Sequence, residues 1–350
     1  MIRLIAVLWL FCAALAHAES VPFDADHWTI DGKESRFEDY RGRRALFLKD
    51  ARATLKDMTM RDGVIEFDMA FPLERGFSGV QFRMADGQNY EEFYLRQHLS
   101  GMPDANQYSP VFYEISGWQI YTGARYCTPV TYTDNDWMHV RLAIAGSRGE
   151  AEIAGNVVPI AELKRDPIDG TVALYARIAG ARFANFEMRP GPVALRTAEG
   201  KPEERPRDVV EAWDVSDPFD EKLLDGNLEF MRALHWTRLQ TERNGIANLA
   251  RLTGTSPAAN TVIARLQFQS DKATTRKVRF GFSDRVRVYL NGKLLYAGDD
   301  GYLSRDYRFL GSVGLFDTLP LLLRKGHNEL LFAVSESFGG WAVIAQFVDP

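Results

Sequence analysis

DGVIEFDMAFPLERGFSGVQFRMADGQNYEEFYLRQH, residues 62–98, is the stretch whose reading decides the fold. Ile65, Phe67 and Met69 alternate with Glu66 and Asp68. Val80, Phe82 and Met84 alternate with Gln81 and Arg83. Phe93 and Leu95 alternate with Glu92, Tyr94, Arg96 and His98. A period of two, apolar inward and polar outward, marks a half-buried antiparallel strand. Asp62-Gly63 and Asp86-Gly87 supply the turns between strands. Working outward, the pattern returns at residues 138–144 and 172–175, then at 262–268, 286–290, 330–334 and 343–347. Asn291-Gly292 reads as a tight hairpin turn. Helix is scarce: residues 160–164 and 221–234 each hold a turn or more, the second interrupted by Asp225-Gly226. The expectation is an all-β chain of two antiparallel β-sandwich (jelly-roll) domains.

A length of 350 residues fits two domains, and a hydrophobic share of 46% lets each half bury its own core. Residues 189–207, RPGPVALRTAEGKPEERPR, are rich in proline and charge and have no periodicity. The division is therefore 19–190, a linker at 191–207, and 208–350. Such a linker predicts freedom between the domains unless an interface overrides it. Residues 1–18 read as a secretory signal, with Arg3 at the start, an apolar run over 4–15, and Ala16-His17-Ala18 as the cleavage site. That run is shorter than the ~20 residues of a membrane span, and no later run is long enough. A secreted or periplasmic chain follows, with no membrane span after signal cleavage. The 42 Lys and Arg against 47 Asp and Glu give −5, and −6 once Arg3 leaves with the leader. Without a basic run, nucleic acid is a poor partner. Cys12 also leaves, so Cys127 has no disulfide partner and reads as a buried or half-buried apolar residue.

Several runs carry a resemblance in the first half: Asp62-Gly63-Val64-Ile65-Glu66-Phe67, Phe77-Ser78-Gly79-Val80-Gln81-Phe82-Arg83, the segment 89–121, Trp137 before a strand, and Phe183-Ala184-Asn185-Phe186 as a closing strand. Residues 35–190 resemble concanavalin A-like (laminin-G-like) jelly rolls, nearest to the branch of the 3-keto-disaccharide hydrolase-like domains. In the second half, residues 286–293 (VRVYLNGK), 321–331 (LLLRKGHNELL) and Phe338-Gly339-Gly340-Trp341 resemble galactose-binding-like jelly rolls. Fold alone assigns no function.

If the apolar positions point inward, Glu66, Asp68, Gln81, Arg83, Glu92, Tyr94, Arg96, His98, Gln119, Tyr121, His139 and Arg141 share one or both outer faces of the first sandwich. Arg and carboxylate groups fix hydroxyls, and a Tyr or Trp ring stacks on the apolar face of a sugar. Arg83, Glu92, Tyr94, Arg96, His98, Trp118 and Tyr121 are the candidate ligand-binding residues. Ile120 shares the parity of Trp118, which leaves Trp118 open between core and face. Glu66-x-Asp68 is similar to the start of the Glu-x-Asp-x-(x)-Glu strand of laminarinase-type hydrolases, where alternate residues roughly 6.5–7 Å apart share a face. Ala70 and Phe71 stand where the second Glu should be, so that mechanism is not expected. Asp104 and Asn106, or Asp299 and Asp300, offer oxygen donors suited to Ca²⁺ and are equally well turn formers. Histidines show no zinc spacing, and no other cofactor is indicated. Gly339-Gly340 aims Trp341 either into the core or outward onto a sugar.

The expected partner is a carbohydrate, bound through the polar and aromatic face of the first sandwich. The rival that the resemblance implies is a glycoside-cleaving enzyme acting on (3-keto) glycosides, with His98 or Glu92 as base and Arg96 as stabiliser. A third reading is an envelope protein-interaction module.

Overall fold

The structure is a computed structural model that describes residues 19–199, 203–226, 228–306 and 309–348; the leader expected at 1–18 lies outside the described residues. Among the described residues, strands make up 53% and helix 5%, which is the all-β chain that the alternation predicts.

The N-terminal half is one long curled sheet. From one edge its order is Asn156–Ile160, Arg148–Ile153, Met138–Ala145, Gly63–Ala70, Ala181–Pro190, Arg43–Leu55, Thr171–Arg177, Phe77–Met84, Tyr90–Arg96, Asn106–Phe112 and Ile115–Ser116. The sheet folds over at Arg43–Leu55. Residues 45–48 of that strand pair with 181–184, and residues 51–54 pair with 173–176. Trp28–Tyr40 runs along its other edge. At the bend Asp50 has φ 45° and faces Gly32, whose φ is 133°. A Cβ on Gly32 would stand 2.4 Å from Asp50 O, so the bend requires glycine there. The two halves of the sheet close on a shared core, where Ile65, Phe67, Leu142 and Phe183 pack with Val80, Phe82, Phe93 and Leu95.

The C-terminal half is a two-sheet sandwich. One sheet is centred on Thr261–Ser270, Gly326–Ser335 and Arg285–Leu290; the other holds Thr274–Ser283 and Ala342–Val348. Trp213, Phe280, Phe332 and Trp341 fill the space between them. Trp341 is fully buried, and its Nε1 donates to Val334 O at 3.1 Å. The double glycine therefore aims it inward. Asn291-Gly292 makes the expected hairpin, with Leu290 opposite Lys293. Two 3-10 turns, Glu221–Asp225 and Leu228–Ala233, occupy the expected place. Residues 160–164 form none. Ile160 ends a strand, Leu163 N donates to Ser147 O, and Lys164 N donates to Tyr108 Oη. Those donors bond distant acceptors, so no local turn closes.

The start of the expected linker is tied down. Arg196 N and Thr197 N each donate to Glu150 Oε2 at 2.8 Å, and Arg148 reaches the carbonyls of Thr197 and Ala198. The two halves also share a buried seam. Gln119 Nε2 donates to Leu310 O at 2.8 Å, and its Oε1 accepts from Gly340 N at 2.9 Å and Ser283 Oγ at 3.2 Å. A Cβ on Gly339 would fall 1.7 Å from that Oε1, so only glycine permits the approach. Phe112 and Ile115 join the C-terminal core, while Val209, Ile246 and Ile344 join the N-terminal one. This interface overrides the freedom that the linker composition predicts.

Candidate ligand-binding site

The outward face of Tyr90–Arg96 and its neighbours is polar, as the alternation predicts, yet it is buried. Strand register builds two rows across it. One runs Ala173, Gln81, Glu92, Ser109; the next runs Arg52, Tyr175, Gly79, Tyr94, Gln107. Glu92 is 3% exposed and Gln81 1%. Glu92 Oε1 accepts from Ser116 Oγ at 2.9 Å, and that hydroxyl lies 2.9 Å from Ser109 Oγ. Glu92 Oε2 and Gln81 Oε1 have no hydrogen-bond partner among the described residues. Burial pushes the Glu92 carboxyl above its ordinary pKa, and Arg177, Ser116, Tyr175 and Gln81 only partly oppose it. Beside this pair opens a cleft of about 300 Å³, walled by Asp31, Lys33, Asp50, Arg52, Gln81, Tyr175 and Arg177. The Arg177 guanidinium lies 5.3 Å from the Tyr175 ring centre.

Tyr94 and Arg96 share this face but are engaged from within. Arg96 donates to Tyr94 Oη at 3.0 Å, to Gln107 Oε1, and to Asp104 O at 2.8 Å. Gln107 Nε2 in turn donates to the carbonyls of Trp118 at 2.8 Å and Tyr121 at 2.6 Å. This network positions the segment after Ser116. His98 leaves the face because the strand ends at Arg96 and a 3-10 turn, Gln97–Leu99, follows. It is exposed, with its ring 5.6 Å from Phe77. Partial desolvation, then the charges of Arg75 and Arg96, hold its imidazole below the ordinary pKa.

Arg83, Tyr121 and Gln119 do not lie on this face. Arg83 has φ 46° beside a register slip, so Met84 takes the outward place, clustered with Tyr90, Val111 and Ala173. The Arg83 guanidinium turns inward, to Arg61 O and Gly146 O at 2.7 Å, Asp62 at 2.9 Å and Glu91 at 3.4 Å. Tyr121 is buried in the seam, where its hydroxyl donates to Glu242 and accepts from Asn248 at 3.2 Å. Trp118 is half-buried and meets Tyr302 and Phe338 of the other half.

Glu66, Asp68, His139 and Arg141 occupy the other outer face, around a hollow of about 360 Å³ that Ser20, Asn185 and Glu187 also line. The Asp68 and Glu66 carboxylates are paired. Asp68 meets Asn185 at 2.6 Å, Arg43 at 2.7 Å and His139 at 3.1 Å; Glu66 meets Arg189 at 2.9 Å and Arg141 at 3.3 Å.

Of the Ca²⁺ candidates, Asn106 bonds Thr128 through both side-chain ends, and Asp104 gives its carbonyl to Arg96. Asp299 accepts from Gly301 N at 2.8 Å, and Asp300 from Arg305. Among the described residues, no group of three or more His, Cys, Asp or Glu is placed to hold a metal. Cys127 is buried, which pushes its thiol up to about 11.

Sequence reasoning missed Arg52 and Arg177. Parity along Thr171–Arg177 was the signal for Arg177, which follows Ala173 and Tyr175 outward. Arg52 is brought in by strand register alone.

No family model matches the chain, and no curated protein does. Solved structures similar to it include the carbohydrate binding module CBM66 from Bacillus subtilis, at 12% identity over 48% of this chain and 99% of that one, TM-score 0.36. The Bacillus licheniformis β-glucanase is 9% identical over 49% and 94%, TM-score 0.35. Chicken galectin 2 is 9% identical over 38% and 94%, TM-score 0.28. Likeness at these identities and scores says nothing of a ligand or a reaction.

Proposed function

We propose that this chain is a secreted carbohydrate-binding protein that takes a glycan at the cleft beside Glu92. One observation carries the reading: two buried oxygens without partners, Glu92 Oε2 and Gln81 Oε1, stand opposite each other in register next to that cleft. A buried acceptor with no donor costs on the order of 1–3 kcal/mol. Hydroxyl groups are the donors that suit both. A sugar ring offers several, together with an apolar face for Tyr175. Arg52, which gives one N–H to Gly87 O, and Arg177, which also meets Tyr90, have further donors for its oxygens.

The test is a printed glycan array probed with the mature chain from Glu19 onward, with and without Ca²⁺. The expected result is a glycan hit that Glu92→Gln weakens about tenfold, because the amide puts an N–H donor where the carboxyl offers an oxygen. A blank array sinks the reading. One feature favours a second reading: burial holds the Glu92 carboxyl toward its protonated form, the state a general acid needs. Cleavage of plain or 3-keto glycosides that disappears in Glu92→Gln would make the same cleft an active site.

A further inference from the structure

Away from the cleft, three aromatic rings stand together where the two halves meet. Trp118 comes from the N-terminal half, and Tyr302 and Phe338 come from loops of the C-terminal half. Their centroids are 6.2, 5.9 and 5.9 Å apart, with planes at 74°, 58° and 68°. Rings this close pack edge to face and leave no hole between them, but their outer faces stay open. Phe338 is 60% exposed and Tyr302 40%. Rings that serve a core are buried, as Trp213 and Trp341 are.

These rings are nevertheless held in place from behind. Gln107 bonds the Trp118 carbonyl at 2.8 Å. Asp284 Oδ2 accepts the backbone N–H groups of Ser337 and Phe338 at 2.8 and 2.9 Å. Asp299 accepts from Gly301 N, which fixes the turn before Tyr302. The result is a rigid, solvent-facing aromatic platform built by both halves.

We propose that this platform is a second glycan subsite, which stacks a neutral sugar ring of the same ligand that enters the Glu92 cleft. The inference rests on the glycan reading of that cleft. Continuity selects the occupant. Ser116, whose hydroxyl bonds Glu92, is two residues from Trp118. The row that starts at Arg52 on the cleft wall ends at Gln107, which bonds the Trp118 carbonyl. Its four inter-strand steps of about 4.8 Å put its ends roughly 19 Å apart. A chain of several sugars reaches from cleft to platform, and a single sugar does not.

The test measures binding of the full mature chain to soluble glucan, galactan, mannan and fructan ladders, each from one sugar to six. Wild-type affinity is expected to rise about tenfold with ligand length, the worth of one stacked ring. Phe338→Ala and Tyr302→Ala remove that rise and leave short-ligand affinity unchanged. Glu92→Gln weakens short and long ligands alike. If both aromatic variants keep the full rise, the platform is no subsite, while the cleft reading stands. If the rise is lost in Phe338→Ala and Glu92→Gln changes nothing, the rings bind sugar without the cleft, and the cleft reading falls together with the shared-ligand subsite. Wild type that binds no ladder overturns both. Self-association of wild type that Phe338→Ala abolishes, with the length dependence intact, assigns the platform to a second copy and overturns the subsite.

Discussion

The two outer faces of the N-terminal sandwich carry the same kinds of residue, carboxylates interleaved with Arg, Tyr or His at alternate positions. They differ in what those groups bond. On Gly63–Ala70, Asp68 is held by Arg43, His139 and Asn185, which come from three different strands. On Tyr90–Arg96, Glu92 has a serine hydroxyl on one oxygen and no well-formed hydrogen bond on the other, with Tyr175, Gln81 and Arg177 only easing it from nearby. The first face uses its charges to tie strands together. The second keeps a buried acceptor unfilled, which a fold retains at a cost in stability. Residue type therefore does not mark a site on this sandwich; a buried carboxyl left partly unfilled beside a cleft does.

The comparison breaks most visibly in stability. Asp68→Ala strands Arg43 and Asn185 and is expected to cost about 3 kcal/mol in denaturant unfolding. Glu92→Gln is expected to cost nothing or to stabilise, because it removes a poorly paired buried charge. The opposite ranking would reverse the roles of the two faces.

A smaller effect comes from the carboxyl between them. Glu91 points into the core, where Tyr108 donates to it and Arg83 approaches at 3.4 Å. Burial dominates and raises it from 4.5 to about 7, against the pull of Tyr108 and Arg83. The native state thus holds this proton more tightly than the unfolded chain does. The stability it contributes is full below pH 4.5 and is lost as pH rises through 7. The expected loss across that window is at most ~3 kcal/mol. Unfolding curves against pH should show the slope in wild type and a flatter profile in Glu91→Gln. A wild type with no slope would mean that Arg83 compensates the charge fully.

The smallest effect concerns His139, whose side chain is 53% exposed. His139→Ala should change stability by less than about 0.5 kcal/mol and leave glycan binding unchanged. A loss of binding in this variant would move the site to the Glu66 face.

Alternation along each strand was enough to read the all-β fold and to put Glu92, Tyr94 and Arg96 on one face. It could not show what covers that face, because burial depends on side chains from strands far apart in sequence, such as Arg52 and Tyr175. It failed at Arg83 for a local reason: a register slip gives the outward place to Met84 and turns the guanidinium inward. It failed at Tyr121 because counting by two has no meaning past Ser116, where Tyr121 N bonds Gly117 O in a turn. The aromatic platform was half legible. Trp118 stood out as an aromatic, but its partners lie about two hundred residues away.

The seam through Gln119 has a consequence for how this chain comes apart. Glu199 and Glu204 are exposed, so the peptide between the halves is open to a protease at either end. Yet Phe112 and Ile115 are embedded in the far core, and Ile246 and Ile344 in the near one. A chain nicked once between its halves would elute from a sizing column as one particle and separate only in denaturant. The join that holds the two sandwiches as a single object is the noncovalent one.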